Sequence, residues 1–248
     1  HLKTKTPEWA AEITGLPVDE IISFAHMIGA TPKTFLRLGH GFSRSRNGAV
    51  NMHAAMCIAA VTGAWKYEGG GALHSNGQIY HWDKTLIEGL DAYNPDVRML
   101  DQSRIGPVLT CDPEDLGDGP PVTAMIIQNT NPMDVAPELA KVHAGFARTD
   151  LFVCVHEQFM TETAMMADIV LPATTFVEHD DFYQGSGHSH ISLGLKVIEP
   201  LGECRSNQEV ISDLATRLGA DHEGFKLTSR ELIERTLSVS GWPDINTL

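Results

Sequence analysis

The chain has 248 residues and a mass of 27.1 kDa, a length that suits one to two domains. A compact fold of that mass exposes ~11,000 Å² and buries about 70–75% of its unfolded surface, so neither disulfides nor metal staples are needed for a core. Eighteen Lys+Arg against 32 Asp+Glu leave a net charge of −14. That balance repels phosphate backbones and anionic lipid, which excludes sequence-independent nucleic-acid binding and electrostatic membrane docking.

The longest apolar runs, around 54–62 and 151–155, fall far short of the ~20 residues that a membrane-spanning helix needs. Cys57, Cys111, Cys154 and Cys204 are widely spaced and form no Cys-x-x-Cys pair. That disfavours a zinc ribbon or a cysteine-bound cluster within the chain and leaves buried, reduced thiols as the expectation. The first residue is His1 rather than methionine, which reads as a processed or internal start.

In chain order, Thr6-Pro7-Glu8 is a helix-start signal, a capping hydroxyl followed by proline and an acid, and predicts a helix to about Thr14. Ile21, Ile22, Phe24, Ala25 and Ile28 give 17–28 an apolar helical face that Gly29 can close. Residues 33–38 read as a strand, followed by Gly39-His40-Gly41, a polar loop to Asn47-Gly48, and a small-residue helix over 49–61 ended by Gly63. Residues 69–121 are rich in Gly, Asp, Asn and Pro and have poor periodicity. A loop of that length is expected only where it is functional or where a partner surface is missing.

Alternation resumes at Val122. Strands are expected at 122–128, 151–156 and 169–171, helices at 137–147 and 161–166, and an extended segment at 190–198. Ser206 with Glu209 three residues on is a capping-box pattern for a helix over 206–218, and 229–239 is the last helix. Strands alternating with helices predict an α/β fold, a Rossmann-like parallel sheet with helices on both faces.

In such sheets ligands bind at the carboxyl ends of the strands. The residues expected there are Gly39-His40-Gly41 with Arg44 and Arg46, Asn129-Thr130-Asn131-Pro132, His156-Glu157-Gln158 with Thr161 and Thr163, and Pro172-Ala173-Thr174-Thr175 with Glu178. If the strands are parallel and adjacent, these loops meet along one edge. Their amides, hydroxyls and carboxylates suit a nucleotide: N–H groups for phosphate, carboxylates for ribose hydroxyls or a guanine edge. Each element also has a plainer reading. Gly39-x-Gly41 lacks the third glycine of the dinucleotide fingerprint and fits a tight turn. Arg37, Arg44 and Arg46 fit a solvated loop as well as an anion site, the Asn-Pro run fits a turn, and Asp168 fits the turn before the last of these strands. His179-Asp180-Asp181 and His188-Ser189-His190 have metal-ligand chemistry, but Gly185-Ser186-Gly187 between them reads as a mobile loop, so no metal site is assigned.

Three stretches are similar to the molybdopterin oxidoreductase family, the dimethyl-sulfoxide-reductase-type enzymes: Ala124–Pro132 (AMIIQNTNP), Asp150–Pro172 (DLFVCVHEQFMTETAMMADIVLP) and Glu178-His179-Asp180. The segment 38–71, with Gly39-x-Gly41, Arg44-x-Arg46-Asn47-Gly48, Thr62-Gly63 and a triple glycine, resembles the family's upstream part, and 206–218 its downstream helix. The resemblance implies the cofactor-binding fold of formate dehydrogenase and dimethyl sulfoxide reductase. It implies molybdenum or tungsten held by molybdopterin guanine dinucleotide, and a parent enzyme that moves oxygen atoms or electron pairs. It places Asn129 and Asn131 beside the pterin-diphosphate, with Thr130 between them also expected to bind the cofactor. His156, Gln158, Thr161, Thr163 and Asp168 fall on the nucleotide, with Asp168 at the guanine edge. Gly39 and Gly41 fall on the cofactor's other side, and Arg44 at the metal or substrate funnel.

No residue matches the family's metal ligand, its cysteine-rich 4Fe-4S motif or its closing β-barrel. The chain therefore reads as an internal fragment, inactive alone, with no catalytic or metal-ligating residue of its own. Its expected partners are the rest of a prokaryotic enzyme, cytoplasmic or periplasmic, and an electron-transfer subunit. Within it, 1–72 reads as part of a neighbouring cofactor domain or the start of the same one, 73–121 as an irregular connection, and 122–248 as the dinucleotide-binding domain. A metal-free relative serving as an electron-transfer scaffold, and a free guanine-nucleotide module, remain open alternatives.

Overall fold

Residues 2–185 and 187–247 are described in a computed structural model, and the chain divides into two units, one of His1–Tyr80 with Gly185–Ser189 and one of His81–Gln184 with His190–Leu248. In the first unit, Thr6 caps the helix Pro7–Thr14 by accepting from Trp9 N–H, and Gly15 closes it in the left-handed region at φ 73°. The next helix, Val18–Ala30, runs past Gly29, and the Thr31 hydroxyl bonds to the Met27 carbonyl where it ends. Strand β1 (Phe35–Arg37) pairs in parallel with β2 (Gly71–Leu73), and the helix Gly48–Val61 packs on them through Ala59. β2 lies in the segment expected to be irregular. Three residues are too few to show a period of two, and pairing with β1 creates the strand.

In the second unit, β3 (Ala124–Gln128), β4 (Phe152–Glu157) and β5 (Ile169–Pro172) form a parallel sheet in that order. Helices join them in sequence, Leu139–Phe146 before β4 and Glu162–Met165 before β5. One sheet face, carrying Ile127, Val153 and Val155, is buried against Leu109, Met133, Val142, Phe146 and Ala164. Leu109 comes from the short helix Ile105–Leu109, so part of the stretch expected to be irregular supplies this core. It crosses the helix Leu139–Phe146 closely: a Cβ on Gly145 would lie 2.4 Å from the Leu109 Cβ, and one on Gly106 2.9 Å from the Val142 nitrogen. Arg104 ties the same segment down through a two-pronged bond to Asp115, both contacts at 2.8 Å.

The expected α/β arrangement of parallel strands flanked by helices is therefore present, but the two faces differ. The opposite face is met at its carboxyl half by residues 205–214, where Leu171 shares a small groove with Val210 and Leu214. Its amino half is open, with Ile126, Phe152 and Ile169 each about half exposed.

The segment expected to be extended at 190–198 forms β7 (Ile191–Gly194), paired antiparallel with β6 (Asp181–Gln184). The glycine-rich stretch read as a mobile loop connects these strands, and its Ser186 lies outside the described residues. Both carboxyl-terminal helices, Asn207–Arg217 and Ser229–Val239, begin in capping boxes, Ser206 with Glu209 and Thr228 with Glu231. Ile233, Leu237 and Ile245 form a second core with Trp82, Phe182 and Trp242 beside it. All four cysteines are free. Cys154 alone is buried, and Cys57 and Cys111 are exposed, unlike the expected set of buried thiols. Among the described residues no helix is long and apolar enough to cross a membrane.

Candidate functional site

Parallel pairing in register sets the site. Gln128, Glu157 and Pro172 end β3, β4 and β5, so the loops beyond them open on one edge. A cleft of about 340 Å³ lies there, lined by Asn129, Thr130, Asn131, His156, Glu157, Gln158 and Ala173. Of the four loops expected to share an edge, three do. The first, with Gly39, Gly41 and Arg44, follows β1 in the other unit and ends a different sheet.

Several of these side chains build the cleft wall. His156 is 1% exposed, and its Nε2 lies 3.0 Å from the Arg205 carbonyl. A carbonyl only accepts, so Nε2 carries the proton and Nδ1 accepts from the Gln128 amide at 3.0 Å. Both ring nitrogens are thus committed. Asn131 and Thr163 clasp the first loop to the second. The Thr163 hydroxyl donates to Asn131 Oδ1 at 2.6 Å and accepts from Met133 N–H, while Asn131 Nδ2 donates to Glu162 at 3.0 Å. That bond holds the Glu162 carboxyl below the usual carboxylate range. Thr163 is fully buried and stands behind the edge. Thr161 caps the helix Glu162–Met165 by accepting from Ala164 N–H.

Asp168 is the exception in position. It precedes β5, opposite Val153 near the start of β4, and exchanges two bonds with that residue: its Oδ2 accepts from Val153 N–H at 2.7 Å and its own N–H bonds the Val153 carbonyl. It therefore sits at the amino end of the strands, ~13 Å along β4 from the cleft. Asp168, which the resemblance puts at a guanine edge, is thus not among the residues of this cleft. The local Ala-Asp-Ile pattern shows a turn but not which end of the sheet it occupies.

What the cleft leaves for a ligand is specific. Asn129 is held in the left-handed region at φ 58°, and its Oδ1 accepts from Asn207, the first residue of the helix Asn207–Arg217. Among the described residues its Nδ2 has no protein partner. The same holds for the Thr130 hydroxyl, for Gln158 Oε1, whose Nε2 donates to the Thr174 carbonyl, and for Glu157 Oε2, whose Oε1 accepts from Gln158 N–H. One amide donor, one hydroxyl, one neutral acceptor and one anionic acceptor suit a ribose diol or a purine edge. Among the described residues no Lys or Arg lines the cleft. Asn207 and Glu157 were missing from the expected ligand set. Glu157 was visible as a strand-end carboxylate, whereas nothing in the sequence brings Asn207 to Asn129.

Glu178 is 5% exposed and accepts from Thr175 N–H and Leu201 N–H, both at 2.7 Å. Those backbone donors hold its carboxyl below the usual range, so it shapes the loop after β5. His179 bonds Thr174, and Asp180 accepts from Lys196 N–H, so this trio is used within the fold.

At the carboxyl edge of the β1–β2 sheet, Gly39 caps the short turn His40–Ser43 and Arg44 follows it. Gly39 has φ −129°, and a Cβ on it or on Gly41 would meet nothing within 4 Å. Packing does not require these glycines. Across the same edge the His40 and His74 rings stand 4.8 Å apart, and buried His74 Nε2 and Asn76 Oδ1 have no partner among the described residues.

A family model described as "Molybdopterin oxidoreductase" matches residues 11–217. The chain is 38% identical over 238 residues to "Probable oxidoreductase YoaE" of Bacillus subtilis (strain 168), covering 96% of this chain and 34% of that protein. It is 30% identical over 243 residues to "Dimethyl sulfoxide reductase DmsA" of Escherichia coli (strain K12), covering 88% and 28%. Among solved structures, acetylene hydratase from Pelobacter acetylenicus matches 56% of this chain and 19% of that one, with a TM-score of 0.46 and 25% identity. The chain spans about a third of the length of the curated relatives it matches.

Proposed function

This chain belongs to the molybdopterin oxidoreductase family, and on that premise we propose that it is the part of a longer molybdenum or tungsten enzyme that holds the nucleotide end of a molybdopterin guanine dinucleotide. The observation that carries the reading is the cleft at the carboxyl edge of β3, β4 and β5 with its unspent polar groups. The bound cofactor would supply the metal at which an oxygen atom or an electron pair is transferred. The chain's own residues bind and orient. Glu157 and Gln158 accept from ribose hydroxyls or from the N–H groups of a guanine edge, Asn129 Nδ2 and Thr130 donate, and His156, Asn131 and Thr163 keep the walls in place. The donor set fits the nucleoside better than the diphosphate, since a phosphate would face Glu157 without a compensating cation.

On this reading the first unit's edge, with Gly39, Gly41 and Arg44, contacts the cofactor away from the nucleotide. Its open glycine backbone and the two unpartnered buried atoms support that. The chain by itself performs no turnover, and the rest of the enzyme and an electron-transfer subunit are its partners. The test is calorimetric titration of the chain with guanosine and adenosine diphosphates. Guanosine diphosphate is expected to bind, and Glu157→Gln to weaken it by about 10-fold or more with an unchanged melting temperature. Equal binding of both nucleotides, or an unaffected Glu157→Gln, rejects the assignment.

A further inference from the structure

We propose that His222 is a proton-operated clasp: neutral, its ring ties Asp91 to the first turn of the helix Glu223–Lys226, and protonated, it lets go of that turn while keeping Asp91. His222 precedes this short 3-10 helix and caps it, its Nδ1 accepting from Gly224 N–H at 3.1 Å. An N–H only donates, so the neutral ring carries its proton on Nε2, which donates to Asp91 Oδ1 at 3.0 Å. The His222 side chain is 16% exposed, and its ring stands edge-on to the Phe225 ring at 5.9 Å. All of these residues belong to the second unit, and none lines the cleft at the strand ends, so the clasp does not depend on the cofactor reading.

Protonation puts a hydrogen on Nδ1 and sets two donors face to face. Turning the ring over gives no escape, since both nitrogens of an imidazolium donate. Asp91 decides which bond survives. The His222 bond holds the Asp91 carboxyl below the usual range, so it stays anionic wherever an imidazole titrates, and the ring stays with it. The turn is therefore what gives way. The other charges nearby are already matched. Lys226 holds the Asp221 carboxyl low, Glu223 pairs with Arg235 of the helix Ser229–Val239, and Glu88 of the helix Thr85–Glu88 pairs with Lys84. The helix Asn207–Arg217 faces the turn with neutral Gln208, whose Nε2 donates to the Gly224 and Leu227 carbonyls. The consequence falls on a cavity of about 310 Å³ that Leu86 and Phe225 help to line. A Cβ on Gly224 would lie 2.7 Å from the Leu86 carbonyl, so Gly224 can withdraw only away from Leu86, and Phe225 goes with it.

The test follows the chain between about pH 8 and pH 5, the span of ordinary imidazole titration. Nitrogen NMR of the His222 ring is expected to find the neutral form with its proton on Nε2. Hydrogen exchange over 222–227, corrected for its intrinsic pH dependence, is expected to speed up by about 10-fold or more as the ring protonates, and hydroxyl-radical labelling of Phe225 to rise with it. His222→Asn supplies a capping acceptor that does not titrate, so its corrected exchange is expected to stay slow and level across the range. Asp91→Asn keeps an acceptor for Nε2 but removes the anion, and is expected to move the transition to lower pH. A neutral ring with its proton on Nδ1, exchange at Gly224 that ignores ring protonation, or a pH dependence that survives in His222→Asn overturns the proposal. Thermal melts verify that the variants fold, and the wild-type measurements decide the matter by themselves if one does not.

Discussion

A few side chains separate groups that build the site from groups left for a ligand. Gly39 is the cleanest case. Its φ is negative and a Cβ would enter open space, so Gly39→Ala is expected to leave the melting temperature unchanged or raise it slightly. If its bare backbone admits a cofactor, the same substitution in the longer enzyme lowers cofactor content. A melt beside a molybdenum and guanine assay distinguishes the outcomes. Glu178 is the opposite case, a carboxylate spent on the fold. Because the Thr175 and Leu201 N–H groups lower its native value, it stabilises the fold above the unfolded carboxylate range, and that contribution is lost as pH falls through the lowered native value. Glu178→Gln is therefore expected to lower the melting temperature near pH 7 and to match the wild type in strong acid. A constant difference across pH would show that its charge is not what matters.

Among the elements, the decisive contact is the crossing of Ile105–Leu109 over Leu139–Phe146. Gly106 and Gly145 allow it, and it carries Leu109 into the core under β3 and β4. Gly145→Ala would ordinarily favour a helix, but here the added methyl lies 2.4 Å from Leu109 Cβ, so a net loss of about 1–3 kcal/mol is expected from overpacking. Chemical denaturation of the variant measures it, and a stabilised protein would show that the two helices can move apart at no cost. The same crossing explains why 69–121 looked irregular. Its helices are four or five residues long, too short for a 3.6-residue period to repeat.

For the whole chain, surface is the informative quantity. It exposes 16,606 Å², against ~11,000 Å² for one compact body of this mass and ~13,000 Å² for two separate compact bodies of the two units' sizes. It thus buries ~58% of its unfolded surface, the fraction usual for a domain of about 60 residues. The heat-capacity increment summed over all unfolding transitions is accordingly expected to be about a fifth below that of compact proteins of equal length. Scanning calorimetry tests this, and an ordinary increment would mean that the chain buries more of itself in solution.

Much of this was legible in the residues alone. Thr6-Pro7, the Ser206–Glu209 box and the 3.6-residue stripes located helices, because capping and amphipathicity are local. The apolar runs at 122–128 and 151–156 located two strands, and the groups after them located the cleft, because a parallel sheet gathers its carboxyl ends. Tertiary structure alone decided the rest. It placed Asp168 at the far end of the sheet and Asn207 against Asn129, enclosed Thr163, and put the Gly39 loop on a different sheet from the other three. Each of these depends on register and on contacts between residues distant in the chain, and a sequence pattern has neither until the strands pair.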